Sequence, residues 1–139
     1  MELESCREDG KWGGEWYFRG CFGTNLGPLF IWSLDYRECS KAFYMNVAGH
    51  MLGCLTVSEG GPCSTAVDVK LILQGALLTN AHGVILAHNH PSGNLQPSAP
   101  DKAMTKKIEK ALLTMDMRLL DHLIVTRDSY FSFIDEGVM

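Results

Sequence analysis

Residues 82–101 read HGVILAHNHPSGNLQPSAPD, and the fold turns on how this stretch divides. HGVILAH is a short apolar run, the pattern of a strand buried on both faces of its sheet. Pro91, Ser92 and Gly93 then supply turn chemistry. Ser98 to Asp101 has the Ser-x-x-Asp spacing of a capping box, with Pro100 tolerated in a first helical turn. A helix is therefore expected from Ser98, burying Met104, Ile108, Ala111, Leu112 and Met115 as an apolar stripe at i, i+4, i+7, i+8 and i+11.

Upstream, TAVDVKLILQGALLTN carries Val69, Ile72, Leu73, Ala76 and Leu77 at helical spacing, with Thr65 and Asp68 placed like a second capping box. KAFYMNV and MLGCLTV, separated by AGH, read as a β-hairpin. Downstream, RLLDHLIVT and YFSFI, joined by RDS, read as another. The strand–helix–strand order around HGVILAH implies a crossover unit. The expectation is an α/β domain over residues 36–139, with a mixed β-sheet flanked by helices. Residues 1–35 form an N-terminal extension rich in glycine and aromatic residues that is expected to pack on the domain; EWYFRGCF reads as a strand and PLFIWSL as a further apolar element.

A chain of 139 residues suffices for one buried core. Its net charge of −4 argues against a surface built to neutralise phosphates, so direct nucleic-acid binding is not expected. The lysines of KAMTKKIEK read as the solvated face of a helix. The five cysteines include no C-x-x-C pair, which fits reduced thiols. No apolar run is long enough to span a bilayer, and the acidic start does not resemble a secretory leader, so the expected location is cytoplasmic.

His88 and His90 stand two apart at the carboxyl end of the expected strand, so both side chains leave one face. Neutral imidazole is a common zinc ligand, and a catalytic zinc usually takes three protein ligands with one position left for water. The loop after the turn returns Asp101 as a candidate third ligand. Taken singly, an H-x-H pair is more often a surface or hydrogen-bonded feature, and Ser-x-x-Asp is most often only a helix cap. Their combination, with a buried strand before and a helix after, is what points to metal. A zinc nucleobase deaminase would need H-x-E with P-C-x-x-C, and here the first motif is H-N-H, while GPCSTA supplies one cysteine.

HNHPSGNLQPSAPD resembles the JAMM (JAB/MPN) metalloprotein signature H-x-H-P-x6-S-x2-D, and its HPSG and PS elements are most similar to the RadC family. The similarity runs over roughly residues 32 to 139 and includes LLDHLIV and the terminal YFSFIDEG. The resemblance implies a sheet flanked by helices, related in layout to cytidine deaminases. It places zinc ligands at His88, His90 and Asp101, and the motif serine at Ser98. It also implies a glutamate base that is not a ligand, matched here by Glu38 ahead of AFYMN, with Glu59 in SEGGP as the alternative. The implied activity is zinc-dependent hydrolysis of a peptide or isopeptide bond in a peptide or protein substrate, with Ser98 assisting the oxyanion. The competing reading is a non-catalytic metal-binding or protein-interaction module that docks onto DNA-repair or other DNA-processing proteins. Asp121 and His122 in the LDH stretch either orient a ligand or serve the strand alone.

Overall fold

A segment that is apolar at successive positions has no polar face to turn toward water, and residues 83–89 are accordingly buried throughout. The structure, a computed structural model, describes residues 18–19, 25–26, 37–59, 67–126 and 129–139. Within them the chain runs through β1 (Phe18–Arg19), β2 (Asn25–Leu26), β3 (Cys39–Met45), β4 (Met51–Glu59), α1 (Val69–Leu78), β5 (Gly83–Asn89), α2 (Ala99–Thr114), β6 (Arg118–Val125) and β7 (Tyr130–Ser132).

The main sheet has the order β4-β3-β5-β6-β7. β3 pairs antiparallel with both β4 and β5, β5 pairs parallel with β6, and β7 returns antiparallel on β6. Both expected hairpins and the parallel crossover are present, so the domain is an α/β fold with a mixed sheet. The helices lie on the same face: Ile72 and Ala76 of α1 and Ile108 and Leu112 of α2 share one core with Ala42, Tyr44, Val84 and Leu86. The opposite face carries Phe43, Met45, Ile85, Ala87, Leu123 and Val125. Alternation along β5 therefore sends Val84, Leu86 and His88 toward the helices and Ile85, Ala87 and Asn89 away from them.

The two helix starts differ. In α2, Ser98 is the N-cap and the capping box with Asp101 is complete, with proline in the first turn. In α1 the helix begins one turn later than the Thr65/Asp68 reading implies: Asp68 is itself the N-cap, its carboxylate accepting from the Lys70 N–H at 2.9 Å, while Thr65 lies outside the described residues. Two stripe positions also need correction. Leu77 and Met115 are exposed, because each sits at the last turn or C-cap of its helix, where periodicity continues but the core does not. Gly75 takes a buried place instead, since the Tyr44 ring lies where its side chain would be.

Of the N-terminal expectations, the strand in EWYFRGCF coincides with β1, which pairs antiparallel with β2. PLFIWSL and the packing of the aromatic residues lie outside the described residues. Among the described residues no helix is long and apolar enough to cross a membrane.

Candidate metal centre

β5 ends where the site begins. His88 is its penultimate residue and points to the helix face, only 2% exposed. His90 follows the strand, and the chain reverses at once: the Gly93 N–H donates to the His90 carbonyl at 3.0 Å, with Gly93 at φ +78°, a conformation that suits glycine. The reversal brings the Asn94 carbonyl to 2.6 Å from His90 Nδ1, which donates to it. That contact fixes the hydrogen on Nδ1 and turns Nε2 inward.

The inward atoms converge. His88 Nε2 and His90 Nε2 lie 3.0 Å apart, Asp101 Oδ1 lies 3.4 Å from the first, and Asp101 Oδ2 lies 3.6 Å from the second. Ligands at about 2.0–2.1 Å from a tetrahedral zinc stand about 3.3 Å from one another, so the spacing suits such an ion. The donor set fits too, with two imidazoles and one carboxylate. Glu38 belongs to the same cluster: it offers a carboxylate oxygen that, with ligand atoms of His88 and His90, forms a group within 4.8 Å of one another. Among the described residues this is a grouping able to hold a metal ion, and the Asp101 carboxylate stands against the same two imidazoles, one oxygen toward each.

Electrostatics agree with that geometry. The Asp101 hydrogen bond raises the pKa of His90 above its ordinary value, against the effect of its partial burial. Burial also opposes the Asp101 carboxylate, but the adjacent imidazoles of His88 and His90 and the hydrogen bond from Ser98 overcome it and hold the carboxyl far below the usual range. Asp101 is thus an anion poised between two imidazoles, the charge state a cation site requires. His122 behaves oppositely: burial lowers its pKa to about 3, so it is neutral at ordinary pH.

Glu38 immediately precedes β3 and is held by a residue from the opening motif. The Asn89 side chain, wholly buried, accepts from the Cys39 N–H at 2.7 Å and donates to the Arg37 carbonyl at 2.8 Å. One amide therefore grips the backbone on both sides of Glu38. This role has no local signal in the sequence, because its partners are distant in the chain. Ser98 caps α2, its oxygen accepting from the Asp101 N–H at 3.1 Å, which leaves the hydroxyl proton uncommitted to the cap. Glu59, the other candidate base, ends β4, its backbone paired with Cys39; its side chain lies outside the described residues. Asp121 accepts from the His122 N–H, the Ser132 hydroxyl and the Ile134 N–H, tying β6 to the end of β7 and the segment after it. Beside the centre opens a cleft of about 340 Å³, whose lining includes Glu38, His88 and Asp101, the apolar Val67, Val69 and Met104, and Lys107.

The family model described as a RadC-like JAB domain matches residues 28–138. The chain belongs to the RadC-like JAB domain family. Relatives of this RadC-like domain include a UPF0758 protein of Flavobacterium johnsoniae, 45% identical over 115 residues, which cover 83% of this chain and 49% of that protein. A UPF0758 protein of Porphyromonas gingivalis is 43% identical over 68% of this chain and 42% of its own length. UPF0758 protein YfjY of Escherichia coli is 39% identical over 74% of this chain and 64% of its own. The chain spans about half the length of the first two relatives.

Proposed function

We propose that this RadC-like domain is a zinc-dependent hydrolase of the JAMM metallopeptidase type, acting on a peptide or isopeptide bond. The observation that carries the reading is the convergence of His88 Nε2, His90 Nε2 and the Asp101 carboxylate at 3.0–3.6 Å, with the Glu38 carboxylate beside them. His88, His90 and Asp101 would hold the ion, and Glu38, whose carboxylate lies within 4.8 Å of both imidazole donors, is left to handle protons. When bound, zinc supplies Lewis acidity and brings the pKa of water from about 15.7 toward about 7.

The chain's own groups account for the rest. Glu38 accepts a proton from the attacking water and returns it to the leaving amine. Asn89 keeps Glu38 in register for both transfers by fixing its flanking peptides. The Ser98 hydroxyl donates to the oxygen on which negative charge develops. The apolar cleft wall formed by Val67, Val69 and Met104 suits an aliphatic side chain next to the scissile bond.

The competing reading, a metal-binding or docking module for DNA-processing proteins, has no use for a gripped carboxylate at the cluster. Glu38→Gln discriminates, with metal content measured alongside cleavage of a peptide library. The hydrolase reading expects zinc content unchanged and turnover down by about 10²–10⁴. Equal turnover in the two proteins would remove Glu38 as the base.

A further inference from the structure

His88 is joined to helix α2 by a buried chain of polar groups. Its Nδ1 lies 2.8 Å from His122 Nε2, His122 Nδ1 lies 2.7 Å from Thr105 Oγ1, and Thr105 Oγ1 lies 2.7 Å from the carbonyl oxygen of Asp101. His88, His122 and Thr105 are each about 2% exposed. The His122 ring is stacked on Phe133, with centroids 4.6 Å apart and planes 17° from parallel, so its orientation is set by packing. A local irregularity in the strand pairing makes the meeting possible. Val84 pairs with Leu119 but Ile85 pairs with Asp121, so one extra residue in β6 brings His122 onto the face that carries His88.

The chain ends on a carbonyl at both sides, Asp101 beyond Thr105 and Asn94 beyond His90. The three contacts of 2.7–2.8 Å set the proton positions from the Asp101 end, and the conflict with the Asn94 end falls on the 3.0 Å contact between His88 Nε2 and His90 Nε2, the gap an ion would fill. The Asp101 carbonyl can only accept, so the Thr105 hydroxyl donates its one proton there. Toward His122 that hydroxyl can then only accept, which puts the imidazole hydrogen on His122 Nδ1. Neutral His122 is left with its lone pair on Nε2 and accepts from His88 Nδ1. His88 in turn is left with its lone pair on Nε2, the atom that faces His90 and Asp101. Were the Thr105 proton turned toward His122, every step would reverse, and His88 would aim an N–H at its neighbours.

We propose that Thr105 and His122 are positioning residues that preset the tautomer of His88, so that its Nε2 lone pair faces the metal site before any ion arrives. The inference rests on the reading of His88 as a metal ligand. It makes α2 act on the centre twice, through the carboxylate of Asp101 and, by way of Thr105, through the same residue's backbone carbonyl. His90 reaches the same tautomer by a different device, the Asn94 carbonyl. Substitutions of groups that orient a metal-bound histidine typically lower metal affinity about 10–100-fold.

Two measurements test it. Long-range ¹H–¹⁵N correlation spectra of the metal-free full chain report which nitrogen of each imidazole carries hydrogen. The expected pattern has hydrogen on Nδ1 of both His88 and His122, and hydrogen on His88 Nε2 instead overturns the proposal. Zinc affinity, read by competition with a chromophoric chelator, is then compared in wild type, Thr105→Val and Thr105→Ser, with thermal melts to verify folding. The valine variant is expected to lose about 10–100-fold in affinity and the serine variant to recover it. A folded Thr105→Val protein with wild-type affinity overturns the relay. A wild type that binds no zinc overturns the metal reading of His88, while the tautomer spectra still decide the proton arrangement.

Discussion

Replacing Asp101 separates two tasks that one side chain performs. Its Oδ2 accepts the Ser98 N–H at 2.8 Å to complete the capping box, while the carboxylate stands 3.4 and 3.6 Å from the inward nitrogens of His88 and His90. Asparagine keeps the shape and an oxygen able to accept from Ser98, so the helix start survives. What it loses is a charge in the first turn, at a cost of about 0.3–1 kcal/mol. Alanine loses the hydrogen bond as well, for a total of about 1–2 kcal/mol. Zinc binding is expected to respond far more. Altering a group that merely touches a ligand costs about 10–100-fold, so removing an anionic ligand is set at about a hundredfold or more. At free zinc about 100 times the wild-type Kd, the wild type gains about 2.7 kcal/mol and a variant bound a hundredfold more weakly gains about 0.4 kcal/mol. At about 4 °C per kcal/mol, melts with and without zinc then differ by about 10 °C for wild type and about 2 °C for Asp101→Asn. A zinc-induced shift in Asp101→Asn equal to that of wild type would refute its role as a ligand and leave its burial to the capping box alone.

Ser98→Gly and Ser98→Ala both remove the hydroxyl, but glycine at an N-cap costs only a few tenths of a kcal/mol where alanine costs about 1. Both are expected to lose turnover by about 10²–10³, and a fully active Ser98→Gly protein would end the oxyanion role. With His90 as a zinc ligand, as proposed, proton and zinc would compete for its Nε2, and Asp101 raises the proton's affinity. Apparent zinc affinity is therefore expected to be level above the raised pKa and to fall about tenfold per pH unit below it, as chelator competition across the range will read. Gly75→Ala would drive a methyl into the Tyr44 ring and hydroxyl and disturb its 3.1 Å bond to the Ile72 carbonyl. Overpacking and the disturbed bond outweigh a helix-propensity gain of about 1 kcal/mol, leaving a net loss of about 1–3 kcal/mol, checked by the urea midpoint.

What the sequence disclosed follows from how local each signal is. β5 was legible because an apolar run with no polar face has one destination, and α2 because Ser98 and Asp101 complete their box within a single turn. The same spacing misled at Thr65 and Asp68, where one side chain caps by itself and the helix starts later. Leu77 and Met115 keep the period of their helices but stand at helix ends, which a repeat cannot reveal. The nearest-chain members of the candidate site, His88, His90 and Asp101, lie within one strand–turn–helix unit and could be read together. Thr105 and Asn89 could not. Thr105 meets His122 across 17 residues, and Asn89 meets Cys39 across 50. Such partners are set by sheet order and by the extra residue in β6, neither of which leaves a pattern in the neighbouring letters.

The grip of Asn89 on the backbone around Glu38 also bears on how the centre is put together in time. The acidic group and the two imidazoles come from segments about fifty residues apart, yet the residue between the imidazoles is the one that seizes the acidic segment. Pairing of β3 with β5 thus brings the Glu38 carboxylate to the two imidazoles. His88, His90 and Asp101 meet within their own strand–turn–helix unit, and only the pairing of β3 with β5 sets the Glu38 carboxylate beside them. Readiness for chemistry becomes a property of the finished sheet.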